Sequence, residues 1–241
     1  MNRFRFAPLA MAFALTLLTA AGASAQPTDR AALAKEIESL REQLRQKEQE
    51  LLAPSAEDRA AFAEFLRQPD TGLIRLLPRE KYQDKLTMNG GGAYYSFTRL
   101  TNEYGFGSDI GLEQEQLSVG FAGADFGFLS KLGDVPLTAV TFDHPGVRLL
   151  AEFTTPTKEV EAREQYRRGS PGFNANGFDY THRLRARVDT TYVLRSINYD
   201  RSDVLVAFRV VREDADGSLV LLWKLLKKFP APELNRISAG N

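Results

Sequence analysis

The sequence predicts a mainly β chain, α+β overall, in which an antiparallel β-sandwich-like domain follows an N-terminal helical arm. Three observations predict it. Residues 29–52 are rich in Ala, Glu, Gln, Arg and Leu and hold neither Gly nor Pro, which is a helix-forming composition. After Lys81 the texture changes to short apolar runs broken by Gly, Asn, Asp and Pro, the pattern of antiparallel sheets. Asp214-Ala215-Asp216-Gly217 stands between two long apolar runs, a hairpin signal in which Gly217 supplies the left-handed conformation.

Residues 1–25 follow the plan of a cleaved secretory signal: Arg3 and Arg5, an apolar run to Ala20, then Ala23-Ser24-Ala25 as a small-residue cleavage site. The apolar run is shorter than the roughly 20 residues of a membrane span, so no transmembrane anchor is expected after cleavage, and the mature chain is expected in the periplasm or outside the cell. Removing the leader takes away two arginines and no acid, which leaves the mature chain slightly acidic.

Residues 26–53 form the arm. Leu33, Ile37, Leu40, Leu44 and Leu51 recur at alternating four- and three-residue steps, broken by Lys47, which is a short heptad seam and an expected self-association surface. Residues 54–79 read as a helical connector. Ser55 and Asp58 have capping-box spacing before a helix over 56–68, and Leu73, Ile74, Leu76 and Leu77 form an apolar patch expected to plug one end of the main domain.

The β-rich domain spans residues 80–232, with a tail at 233–241. Strands are expected near 86–89, 93–100, 116–121, 137–142 and 147–153, and residues 157–168 read as a short exposed helix or a mobile loop. Residues 183–188, 191–197, 204–212 and 218–229 read as a four-stranded meander. In the first of these Arg183, Arg185 and Arg187 alternate with apolar residues, giving one wet and one dry face. Trp223, the single tryptophan, reads as core rather than as a sugar platform.

Composition removes several function classes. The 241 residues are 43% hydrophobic and 26% charged, with 31 Lys+Arg against 31 Asp+Glu and no Cys, so the chain is neither disordered nor disulfide-stapled, and no basic face marks it for nucleic acid. The glycine segments at 90–92 and 105–111 lack both the dinucleotide and the P-loop spacing. With only His144 and His182, no Cys and no G-x-S-x-G elbow, nucleophilic catalysis and zinc ligation are poorly supplied; no metal and no cofactor are implied. The five Gly-Phe dipeptides read as turns whose phenylalanines cap the core.

Two site readings remain. Glu113 and Glu115, on one face of a strand, have a spacing compatible with acid–base glycoside hydrolysis. The arginines at 183, 185 and 187 have the bidentate geometry to hold an anionic envelope polymer or glycan. The function expected is an exported bacterial cell-envelope binding or structural protein without catalytic activity, oligomerised through its N-terminal helix; the alternative is a carboxylate-dependent hydrolase acting on a cell-wall or extracellular polysaccharide.

Overall fold

The computed structural model describes residues 30–105, 107–121 and 123–235. The expected leader at 1–25 and the end of the 233–241 tail lie outside them. Among the described residues no helix is long and apolar enough to cross a membrane.

Helix α1 (Arg30–Leu52) carries the arm. Residues up to Arg41 belong to one compact unit and those from Glu42 onward to another. In the first, Leu33, Ile37 and Leu40 are exposed. In the second, Leu44 is exposed as well, whereas Glu48 and Leu52 are buried and Leu51 is half-buried. The Glu48 carboxylate accepts from the Thr87 N–H and hydroxyl, and Arg75 donates to the Leu51 carbonyl.

Helix α2 (Ala56–Ala61) opens on the capping box that Ser55 and Asp58 predict. The helix expected over 56–68 is broken at Phe62, whose φ of −108° and ψ of 15° are not helical, and resumes as α3 (Ala63–Leu66). The following apolar patch is not a plug. It is strand β1 (Thr71–Leu76), because its residues alternate between two cores: Leu73 packs on one face, Ile74 and Leu76 on the other.

Among the described residues eleven strands make two antiparallel sheets. The larger contains β1, β5 (Phe126–Gly133), β6 (Phe173–Ala175), β7 (Phe178–Thr181), β9 (Thr190–Asn198), β10 (Ser202–Glu213) and β11 (Leu219–Phe229), in the order β1-β11-β10-β9-β5-β7-β6. The smaller contains β2 (Tyr94–Tyr95), β3 (Ile110–Glu113), β4 (Gln116–Ser118) and β8 (Arg183–Arg185), in the order β2-β3-β4-β8. Their facing sides share one core: Tyr95, Ile110, Leu112 and Leu117 from the small sheet meet Leu194, Val206, Leu221 and Trp223 from the large one. The far side of the large sheet is covered by helices, through Phe65 of α3, Val147 and Leu150 of α5 (Pro145–Glu152) and Ala162 of α6 (Glu159–Gly169). A sheet covered on both faces has no wet side there, so all nine residues of β9 are buried and β10 has a continuous buried apolar run from Val204 to Phe208.

The C-terminal meander has three strands, β9 to β11, not four. β8 leaves it to pair with β4, after which the chain turns at Asp189 (φ 57°) into β9. The β10–β11 hairpin forms where Asp214 to Gly217 predict it, with Gly217 at φ 84°. The strands expected at 137–142 and 147–153 are a 3-10 turn (Leu137–Ala139) and α5. Pro145 is pre-set for the first helical turn, and His144 Nδ1 accepts the Gly146 N–H at 3.1 Å, so these apolar residues bury at helical spacing instead. Of residues 93–100 only β2 is strand; residues 86–89 form turns, and α6 takes the helical option for its segment.

Two buried polar groups fix these layers. Arg195 of β9 donates twice to Asp203 (2.9 and 2.8 Å) and once to the Leu150 carbonyl (2.7 Å), with the Phe229 ring 3.8 Å from its guanidinium, so the end of α5 is bolted to the sheet. Asp109, just before β3, is buried between the sheets. It accepts from the Phe97 N–H (2.8 Å) and from Asn198 Nδ2 (2.9 Å) of β9, tying the small sheet to the large one.

Candidate functional site

The two sequence-predicted sites converge on one end of the small sheet. Glu113 ends β3, and Gln114 (φ 51°) and Glu115 (φ 60°) form a two-residue turn into β4. Both turn residues are left-handed, as the twist of a tight hairpin demands. Glu115 is therefore off the strand, and the shared strand face expected for Glu113 and Glu115 does not exist.

β8 lies beside β4, with Arg183 opposite Ser118 and Arg185 opposite Gln116. This places Arg183 Nη2 3.6 Å from Glu113 and Arg185 Nη2 2.6 Å from Glu115. The outer pair is solvated, at 74% and 79% side-chain exposure, and contributes little. Arg187 lies beyond the end of β8, exposed, its N–H donating to the Tyr192 hydroxyl at 2.9 Å. The arginine row therefore does not act as one triple grip: two members are neutralised by acids of the neighbouring hairpin.

Glu113 is the centre of the cluster. Only 12% of its side chain is exposed. Arg79 of α4 (Arg79–Tyr82) donates to Oε1 at 2.7 Å, and the Tyr94 hydroxyl of β2 donates to the same oxygen. Tyr94 is itself buried. Its ring packs at a tilt against Tyr104 (4.5 Å) and edge-to-face against Phe121 (5.1 Å), with the Arg79 guanidinium 5.9 Å from its centroid. Burial, reinforced by the bond to Glu113, pushes the Tyr94 phenol well above its ordinary range, so it stays protonated and donates. α4 is held in place from both sides. Glu80 accepts the Gln114 N–H at 2.7 Å, while Lys81 and Tyr82 donate to the carbonyl and carboxylate of Asp216 at 2.7 and 2.6 Å.

The resulting cluster has two guanidinium groups around one carboxylate. It opens on a cleft of about 380 Å³ lined by Arg79, Glu80, Gln83, Asp84, Glu113, Gln114 and Arg183, two cations among three acids. A neighbouring cleft of about 360 Å³ is lined by the apolar Pro78, Leu112 and Leu219 and by two cations, Lys81 and Arg185, among four acids, Glu80, Glu115, Glu213 and Asp216. Guanidinium groups interleaved with carboxylates have the chemistry to meet a mixed-charge group through charge-assisted hydrogen bonds. Glu113 is poorly placed for acid–base work, because Arg79 and Tyr94 occupy its carboxylate.

Sequence reasoning found Glu113 and Arg183 separately and missed Arg79. No local signal marks that residue, since its partner lies 34 positions away. Phe126 and Phe128 are buried, Phe173 and Phe178 pack on the same core, and Trp223 is buried against Phe97 (5.2 Å). Among the described residues no three His, Asp or Glu side chains gather in a way that would hold a metal ion. His182 is buried, 4.7 Å from the Tyr166 ring, and burial beside Arg183 lowers its imidazole to about 4, so it is neutral at physiological pH. The chain matches no protein-family model, no curated protein and no solved structure.

Proposed function

We propose that the chain is an exported bacterial cell-envelope binding or structural protein without catalytic activity, which holds anionic groups of an envelope polymer at the Arg79–Glu113–Arg183 cluster. The observation that supports this reading is the convergence of the Arg79 and Arg183 guanidinium groups on Glu113 at the mouth of an open cleft. The same contacts occupy Glu113, the buried acid of the hydrolase alternative, with Arg79 and Tyr94. Export rests on the leader pattern of residues 1–25, and a periplasmic or secreted location follows from it.

Self-association through α1 is the second part of the reading. Leu33, Ile37, Leu40 and Leu44 stand exposed along the heptad seam, and Glu36 and Arg41 occupy flanking g and e positions, where they would pair between two parallel helices. Copies joined this way would bind a polymer multivalently.

Two measurements test the two parts. Co-sedimentation of the mature chain with purified cell-wall sacculi is expected to weaken at least tenfold in an Arg79→Gln, Arg183→Gln double variant; unchanged binding would remove the site. Light scattering is expected to give a multimer that becomes a monomer in Leu40→Asp, and a monomeric wild type would remove the assembly.

A further inference from the structure

Sheet edges are where a β protein exposes unpaired backbone, and natural chains blunt them. Of the four edges here, β6, β2 and β8 are only three, two and three residues long. β1 is the exception, with six residues and no proline.

The ladder shows which of its groups are open. The Asp70 carbonyl accepts the Leu225 N–H at 2.8 Å, so the even-numbered residues of β1 turn their backbone groups toward β11, and Thr71, Leu73 and Arg75 turn theirs outward. One end of that outer edge is closed. Asn102 donates to the Arg75 carbonyl at 3.0 Å, and the Leu77 N–H donates to the Gly92 carbonyl at 3.1 Å. Among the described residues nothing pairs with the outward backbone of Thr71 or Leu73.

That open stretch lines a cleft of about 620 Å³, within the range of ligand sites, which continues into a second of about 360 Å³; the two share Arg59, Leu73, Tyr95 and Leu100. One wall comes from α2 and α3, with Arg59 and Leu66. The other comes from residues 95–100, with Tyr95, Phe97 and Leu100.

Leu100 is the unusual member. It is a leucine at φ 55° and it is 63% exposed. It is held there by its own N–H bonding to the Ser96 carbonyl at 2.8 Å and by the Ser96–Thr101 bridge. A bulky residue kept in a conformation that favours glycine, with its side chain in water, contributes little to the fold. It makes an apolar lip. The charge of the cleft is also one-sided: Arg59 and Lys228 line it against the single acid Asp70.

We propose that this cleft docks an extended peptide segment of a partner protein, which adds a strand to the outer edge of β1, packs alternate apolar side chains against Leu100 and the aromatic wall, and carries acidic residues toward Arg59 and Lys228. Main-chain bonds to Thr71 and Leu73 supply affinity and the alternation supplies specificity. The site shares no lining residue with the clefts beside Arg183, and it stands or falls independently of polymer binding.

The test selects a displayed random octapeptide library on the full chain, with Leu100→Glu as the counter-selecting target. Fluorescence anisotropy then compares the recovered peptides. They are expected to carry alternating apolar residues with at least one acid, and to bind the wild type at least tenfold more tightly than Leu100→Glu or Arg59→Glu. N-methylation along a peptide is expected to abolish binding at every second residue only. Leu100→Gly, which relieves the left-handed backbone while deleting the side chain, is expected to lose binding with no loss of thermal stability. Failure to recover any peptide that separates wild type from Leu100→Glu would overturn the proposal. So would N-methyl effects without a period of two, or a dimer that Leu100→Glu dissociates, since a second copy would then own the groove.

Discussion

Asp109→Asn tests how the two sheets are held together. Burial pushes the Asp109 carboxyl up to about 6, although the Ser196 and Ser96 hydroxyls, the Phe97 N–H and Asn198 all favour its anion. In the unfolded chain the same group titrates near 3.9, so between about pH 4 and 6 the native state keeps a proton that the unfolded state has lost. Stability from this group is complete below about pH 4 and is lost as pH rises through 6, at about 1.4 kcal/mol per pH unit and about 3 kcal/mol in all.

Among the described residues two other groups with shifted titration fall in that window. Asp125, raised by burial to about 6, adds a slope of the same sign. His182, lowered by burial to about 4, acts oppositely, because its unfolded imidazole is protonated below about 6.5 and its native one is not. Two carboxyls against one imidazole leave the wild type losing about 1.4 kcal/mol per pH unit across the window. Asp109→Asn is expected to flatten that slope, and His182→Phe to double it. Urea unfolding followed through Trp223 fluorescence at fixed ionic strength measures both. If Asp109→Asn kept the full wild-type slope, the inter-sheet carboxylate would not be the group that titrates.

Three further outcomes follow from the packing. Arg195→Ala is expected to destabilise by about 3–5 kcal/mol, because Asp203 would be left buried without its cation, whereas the double variant Arg195→Met, Asp203→Leu recovers most of that loss; thermal denaturation separates the two. Gly72→Ala would place a Cβ 2.6 Å from the Trp223 indole across the β1–β11 ladder, so a loss of about 1–3 kcal/mol and a red shift of tryptophan emission are expected. Ser55→Ala removes the reciprocal cap of α2 and is expected to cost about 1 kcal/mol in urea unfolding.

What was legible in the sequence was local. The hairpin at Gly217, the capping box at Ser55 and the length of α1 each depend on residues within four positions of one another, and each formed where its pattern predicts. The misread segments were those where one local signal competed with another. Val147, Leu149 and Leu150 form an apolar run short enough for a strand, yet the His144 cap and Pro145 outrank it and the run becomes a helix. The patch from Leu73 to Leu77 has leucines at helical spacing too, but β11 offers an antiparallel partner for each residue of β1.

The candidate site was legible only in halves, and the reason is physical. A strand's wet face displays its charge in the sequence, as the arginines of β8 do, but the acid that neutralises each arginine is chosen by sheet order, which the strand itself does not encode. Arg185 reaches an acid 70 positions away. Arg195 shows the same limit more sharply. In sequence it is one more arginine of a C-terminal strand, while in the fold it is buried with Asp203 only 8 positions away, because the second face of the large sheet is covered by helices that strand periodicity cannot reveal. A layer missed in the sequence thus changes the meaning of a charge: with one sheet face wet, Arg195 would be a solvated surface charge, and with both faces covered it becomes the bolt that holds α5 to the sheet.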